Sequence, residues 1–369
     1  MRPKGSPTYM QISEQLIAYL DHHLFAKGDR LPTEHQLMEL FAVSRTTIRK
    51  ALEILMNKEL IIRSQGSGTY FNGSRSRKKP VNGIQKIGLV NYFFMDYIYT
   101  EILKGIEQEI EDAGYGLMIS SNTRTEDKQY EAIRQLIEQG VSGIILEPTH
   151  ALQTQAEHPV LELLAQHSIP TVTTHRFIEY GNYSTVTIDD VFAGKLAAEY
   201  LLQKGHRKIG YIYRQELKPI SDRYSGFSET LTAAGFPPED RYCIPDFDIS
   251  KAESGLHGYL LTKRLIEENT ELPTAICYYN DNLAIQGYKA LAEMGIRVPE
   301  DISILGFDDH SNAAIVSPPL TTFAHPKADL GRWAAKILID EMHSWSVHRM
   351  PMKIEFKPRL VERGSVRSI

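Results

Sequence analysis

The chain has 369 residues, and 41 lysines and arginines against 46 aspartates and glutamates leave it a formal net charge of −5. That length suits two or three domains with a sizeable core. The charge excludes a protein basic throughout, and no apolar run approaches the ~18 residues of a membrane-spanning helix. The average conceals an asymmetry, because residues 1–80 hold 13 Lys+Arg against 7 Asp+Glu (net +6) and the remainder 28 against 39 (net −11). A basic head on an acidic body suits a protein that meets phosphate with one end only. The first residues, MRPKGSPTYM, lack the apolar core of a secretory signal, so a cytoplasmic protein is expected. The two cysteines, Cys243 and Cys277, form no metal-type cluster, and Cys277 reads as a small buried hydrophobe in an apolar run.

In chain order, residues 9–24 read as a helix with Ile12, Leu16, Tyr19 and Leu20 on one face, placed to pack behind the helix that follows Ser44 and to bind nothing directly. Thr33 and Gln36 make a capping-box pair for a second helix, whose apolar stripe is Leu37, Leu40 and Phe41. After a break at Ala42 and Val43, Ser44 caps a third helix. There Ile48, Ala51, Leu52 and Leu55 fall at i, i+3, i+4 and i+7 and line one face. Arg45, Thr46, Thr47, Arg49 and Lys50 crowd its start, where short polar and basic groups suit entry into a major groove. Two strands, at 61–64 and 69–71, flank the hairpin tip Gln65-Gly66-Ser67-Gly68. The plain alternative for the basic residues is a solvated helix face, but it leaves cap, turn and wing without a purpose. The segments LPTE, VSRTTIRKAL and QGSGTYF, in this order, resemble the GntR type of winged-helix repressor domain. The resemblance implies contacts to double-stranded operator DNA from Thr33, Glu34, the residues from Ser44 to Thr47, Arg49, Lys50, and Gln65, Gly66 and Ser67 of the wing.

Residues 72–83, NGSRSRKKPVNG, combine Gly, Ser, Pro and a basic cluster without apolar periodicity, the composition of a flexible linker. From residue 85 strands alternate with helices. Apolar runs predict strands at 87–91, 115–120, 142–147, 169–174, 209–213, 275–279 and 302–307. Helical patterns fall at 98–113, 130–139, 191–203, 283–294 and 329–343. Such alternation predicts parallel sheets covered on both faces, and nearly 280 residues predict two lobes with a cleft between them.

In open parallel sheets ligands bind beyond the carboxyl ends of the strands. Phe93, Phe94 and Tyr97 follow the first run, Glu147 ends the third, and His175 and Arg176 follow the fourth. Asn280 follows the run containing Cys277, and Asp308 follows the last. Carboxylate, amide, guanidinium and tyrosine groups of this kind can grip vicinal hydroxyls. The segments KIGLV, GHRKIGYI, RYSGF, NDNLAIQGYKALAEMGIRVPEDISILGFDD and PPLTTFAHPKADLGRWAAKILI are similar to the LacI/GalR type of sugar-responsive domain, itself related to periplasmic sugar-binding proteins. That similarity runs over almost all of residues 85–365. It implies that Arg223 clamps sugar hydroxyls, and that Asn280 and Asp308 line the second lobe. His175 stands where the family has an aspartate, which alters the hydroxyl pattern read there. Arg176, Glu147 and one aromatic among Phe93, Phe94 and Tyr97 complete the expected pocket. Structural uses stand beside these readings: an inter-helix ion pair for Arg223, a cap for Asp308, and core packing for His175 and the aromatics.

No phosphate loop, dinucleotide fingerprint, HExxH or GxSxG pattern is present, so no catalytic residue, metal or cofactor is expected. The expectation is a multidomain protein with a winged helix-turn-helix head (1–72), a linker (73–84) and a two-lobed α/β periplasmic-binding-protein-like body (85–369). The resemblances imply a homodimeric, sugar-responsive repressor, with L-arabinose as the expected effector and no membrane partner.

Overall fold

The computed structural model describes residues 9–22, 28–57, 60–64, 68–72, 85–91, 97–120, 123, 125–155, 157–214, 217–245, 256–343 and 350–369. The linker at 73–84, the wing-tip residues Gln65, Gly66 and Ser67, and Phe93 and Phe94 lie outside them.

The head comprises α1 (Tyr9–His22), α2 (Glu34–Phe41), α3 (Arg45–Asn57) and the antiparallel pair β1 (Ile61–Ser64) and β2 (Gly68–Phe71). The capping box forms: the Thr33 hydroxyl accepts from the Gln36 amide at 3.4 Å, and the Gln36 side chain accepts from the Thr33 amide at 2.9 Å. The chain reverses at Ala42, which takes a left-handed φ of 51°. It then re-enters helix at Ser44, whose hydroxyl accepts from the Thr47 amide at 3.3 Å. Ile12 and Leu16 of α1 meet Leu37 of α2 and Ile48, Ala51 and Leu55 of α3, all fully buried. Leu40 departs from its expected place, being 51% exposed. Helix α2 is short, and its Leu37–Phe41 row is the one covered, with Phe41 edge-on to Tyr19 of α1. Leu40 is left on the rim.

The first lobe contains β3 (Lys86–Val90), α4 (Tyr97–Asp112), β4 (Gly116–Ser120), α5 (Glu126–Glu138), β5 (Gly143–Leu146), α6 (His150–Thr154), α7 (Pro159–His167), β6 (Thr171–Thr174) and β7 (Ser184–Ile188). Helix α8 (Asp190–Gln203) leads into the second lobe. There follow β8 (Ile209–Tyr213), α9 (Lys218–Ala233), β9 (Cys243–Pro245), α10 (His257–Glu267), β10 (Ala275–Tyr278), α11 (Asp281–Glu293) and β11 (Ser303–Leu305). Strand β12 (Thr322–Ala324) returns the chain to α12 (Lys327–His343) and β13 (Lys353–Phe356) of the first lobe, and β14 (Arg359–Val361) leaves it again. The two sheets are parallel throughout, ordered β13-β7-β6-β5-β3-β4 and β11-β10-β8-β9. Two of the three segments passing between the lobes, β12 and β14, pair antiparallel.

Both faces of these sheets are covered, so β5 and β7 are buried at every residue instead of alternating. In each lobe one helix pair makes backbone contact through reciprocal glycines. A Cβ on Gly105 of α4 would lie 2.0 Å from the Ala328 carbonyl oxygen, and one on Gly331 of α12 2.0 Å from that of Ile102. Gly226 of α9 stands likewise at 2.0 Å from the Val191 oxygen. A Cβ on Gly194 of α8 would lie 1.8 Å from the carbonyl oxygen of Arg223, so α8 presses on the backbone of the very residue whose side chain enters the cleft.

Candidate functional site

Two polar assemblies stand out, one in the head and one at the carboxyl ends of the body's strands. In the head, Arg45 and Arg49 project from α3 and Arg63 from β1, and all three donate to Glu34 at the start of α2. The distances are 2.9 Å from Arg45 Nε, 3.2 Å from Arg49 Nε and 2.9 Å from Arg63 Nη2. The arginine side chains are 52–64% exposed and Glu34 only 15%. Burial opposes the Glu34 charge, but the three guanidiniums outweigh it and hold the carboxyl below its ordinary range. One carboxylate thus fixes the bases of three cations whose outer faces remain open. Thr46 and Lys50 are exposed beside them, with the Lys50 ammonium 5.3 Å from the Tyr9 ring centroid. Thr33 and Ser44 act as caps. Sequence reasoning missed Arg63; strand alternation puts it on the face of the buried Ile61, the side that meets the helices, and was the available signal.

In the body, Glu147, His175, Asn280 and Asp308 lie just beyond β5, β6, β10 and β11, Tyr97 opens α4, and Arg223 lies in α9. The Tyr97 hydroxyl donates to Asp308 Oδ2 across the cleft, and its ring meets His310 edge-on at 4.4 Å between centroids. Behind it the Tyr99 hydroxyl donates to Glu147 Oε2, and the Tyr99 ring stands edge-on to His175 at 5.7 Å. Arg223 is bidentate to one oxygen of Asp190, from Nη2 at 2.6 Å and Nε at 3.2 Å. Its Nη1 donates to the Tyr279 carbonyl at 2.7 Å, and the guanidinium carbon sits 3.3 Å above the Phe307 ring centroid. The ion-pair reading of Arg223 therefore holds in this structure, with the pair lying in the cleft. Arg176 donates to the Pro148 carbonyl at 3.3 Å. Asn280 also caps α11, its side-chain oxygen accepting from the Leu283 amide at 2.9 Å. The cap uses one acceptor lone pair of the amide. Asp190, Tyr99 and His325 belong to this cluster and were missed. Asp190 ends the TIDD run just beyond β7, and His325 directly follows β12 and precedes a proline.

The backbone is unusual at the same place. His175 (φ 60°), Asp308 (φ 111°) and Asp309 (φ 51°) take left-handed conformations. Such strain in non-glycine residues concentrates at functional sites. Burial, with Asp281 beside it, pushes the Asp308 carboxyl up to about 8 against the pull of Arg223, the Tyr97 hydroxyl and Lys327. Burial likewise lifts Asp281 to about 7, and lifts Asp190 to about 6 against Arg223. His175 and His325 are held neutral, mainly by burial.

This carboxyl makes stability depend on pH. Folded Asp308 keeps a proton that an unfolded aspartate, with its ordinary value of 3.8, has released. The stability this contributes is complete below pH ~4 and is lost as the pH rises to about 8. The melting temperature of the wild type minus that of Asp308→Asn should fall across this window, and a flat difference would count against a protonated Asp308.

Among the described residues no group of three or more His, Cys, Asp or Glu is arranged to hold a metal ion, and no helix is long and apolar enough to cross a membrane. Residues 8–71 match the bacterial regulatory proteins of the gntR family, and residues 198–366 match the periplasmic binding protein-like domain. The chain is 31% identical over 371 residues to the arabinose metabolism transcriptional repressor of Geobacillus stearothermophilus, covering 100% of both. It is 27% identical over 362 residues to that of Halalkalibacterium halodurans, covering 97% of this chain and 96% of the relative. A LacI family transcriptional regulator from Enterococcus faecium, solved with bound ribose, superposes with a TM-score of 0.67 at 24% identity, covering 77% of this chain and 100% of that one. With a gntR-type winged helix and a periplasmic-binding-protein-like body in one chain, related end to end to such regulators, this protein belongs to the family of the arabinose metabolism transcriptional repressors.

Proposed function

We propose that this chain is a homodimeric repressor whose head binds a two-fold operator and whose cleft takes L-arabinose, which releases the DNA. The observation that carries this reading is the end-to-end similarity to arabinose repressors, covering head and body together. The physical arguments agree with it. Arg45, Thr46, Arg49 and Lys50 begin a helix with its apolar face buried, the disposition needed to read a major groove. A single helix-turn-helix makes few contacts, so a dimer on two half-sites is the expected binding unit. In the cleft, Tyr97, Glu147, His175, Arg176, Arg223 and Asp308 give the mixture of planar polar groups and aromatic edges that a sugar requires.

The test is a pair of titrations on the full chain, with a duplex selected by the protein from a random-sequence library. Fluorescence anisotropy gives operator affinity with and without L-arabinose, and calorimetry gives L-arabinose affinity with and without saturating operator. Linkage makes the two factors equal, and coupling of this kind is typically ~1–3 kcal/mol. Operator binding that L-arabinose leaves unchanged overturns the effector assignment. Ribose, the ligand held by the Enterococcus faecium regulator, is the second sugar to titrate.

A further inference from the structure

The charged groups of the cleft are already engaged with one another. Asp308 accepts from Tyr97, Glu147 accepts from Tyr99, and Arg223 is held by Asp190 and the Tyr279 carbonyl. The two histidines are not so engaged. Both ring nitrogens of His175 and Nδ1 of His325 are buried and have no hydrogen-bond partner among the described residues. Their rings lie 5.5 Å apart between centroids. His175 comes from the end of β6 in the first lobe, and His325 from the crossover that follows β12, so the pair stands where the lobes meet. Aromatic rings border it on both sides: Tyr99 at 5.7 Å from His175 and Phe307 at 6.5 Å from His325, each edge-on. Buried polar atoms in native proteins are rarely left unpaired, and those that are mark a place for a ligand or a water.

We propose that His175 and His325 together read hydroxyl groups of the effector, and that they select an uncharged polyol over sugar acids and sugar phosphates. This rests on the sugar reading above and adds which groups discriminate. A neutral imidazole offers one donor and one acceptor, and a hydroxyl is the ligand group that meets both. Burial keeps both rings neutral; Glu147 favours the charged form of His175, Arg176 opposes it, and His175, Lys327 and Arg223 all oppose a charge on His325. An anionic ligand would bring a further negative charge beside Glu147, with Arg223 already paired to Asp190 and the Lys327 ammonium turned to the Asp308 carbonyl.

The experiment is calorimetry on the full-length wild type and on His175→Ala, His325→Ala, His175→Asn and His325→Asn. The ligands are L-arabinose, its monodeoxy derivatives and L-arabinonate, and operator binding confirms that each variant is folded. The wild type should lose about tenfold or more in affinity toward a monodeoxy derivative whose missing hydroxyl a histidine reads. In the matching alanine variant that derivative should lose nothing further, while the other derivatives lose as before. Asparagine, which places an amide near the Nδ1 position, should restore part of the discrimination, and L-arabinonate should bind far more weakly than L-arabinose. A uniform loss across all derivatives means that the histidines only support the fold, and it overturns the assignment. Sugar binding unchanged in the alanine variants also overturns it and leaves the sugar reading standing. A wild type that binds none of these sugars overturns both.

Discussion

Replacing Arg223 with alanine is expected to abolish the response to sugar and to destabilise the body at the same time. The guanidinium and Asp190 are both about nine-tenths buried, and they meet at 2.6 Å. Removing one partner of such a pair leaves the other charge uncompensated, at a cost of roughly 3–5 kcal/mol. The same substitution removes the donor to the Tyr279 carbonyl and the cation above the Phe307 ring. The effector would lose a further ~2–5 kcal/mol if its hydroxyls meet this group in a closed cleft. The two losses separate in a double variant. Arg223→Met with Asp190→Leu replaces the ion pair by apolar groups, a change that is often neutral for stability. Denaturant unfolding should show this variant near wild type, whereas calorimetry should show no sugar binding. Wild-type sugar affinity in the double variant would remove Arg223 from the site and leave it a purely structural role between α8 and α9.

The contrast between legible and hidden parts of this molecule has a physical basis. Caps and turns are local, so Thr33, Gln36 and Ser44 could be placed from their own neighbours. The apolar rows of α1 and α3 could be read because an amphipathic helix has a period that survives in sequence. The body's strands β3 to β6, β8, β10 and β11 stood out as apolar runs, since a strand covered on both faces has no polar side. Strands β7, β9 and β12 to β14 did not. Ser184–Ile188 is built from threonine, serine and branched residues without a long apolar run, and Lys353–Phe356 alternates at a sheet edge. Helix α5 begins at Glu126, ahead of the apolar stripe that suggested it, because its first turn is acidic and exposed. In the cleft, the rule that ligands lie beyond strand ends found Glu147, His175 and Asp308. It missed Asp190 and His325 because β7 and β12, whose carboxyl ends they follow, were not legible as strands. Nor does the rule foresee that Arg223 would be tied to Asp190, or that Asn280 would turn its oxygen back to cap α11. Those outcomes depend on which segments the fold brings together, such as the close approach that Gly194 permits between α8 and α9.

At the other end of the molecule, Arg45→Ala is expected to remove discrimination between operator and scrambled DNA while leaving sugar affinity as it is. The side chain is 64% exposed, so its ion pair with Glu34 contributes little to stability and the fold of the head should be nearly unchanged. A guanidinium at this point of a recognition helix can take guanine in bidentate fashion, worth ~1–3 kcal/mol of discrimination. Glu34→Gln provides the contrasting case. It keeps the side-chain shape but removes the charge that gathers Arg45, Arg49 and Arg63, leaving three cations crowded without their shared anion. That variant should bind scrambled duplex more tightly than wild type and show a steeper dependence on salt, because affinity for phosphate grows with the number of unneutralised cations. It should also lose specificity, since the arginines are no longer held in one geometry. Anisotropy against operator and scrambled duplexes over a range of salt concentrations separates the two effects. Arg45→Ala that keeps wild-type discrimination would show that α3 does not read the bases. Glu34→Gln with an unchanged salt slope would show that Glu34 takes no part in setting the charge that the DNA meets.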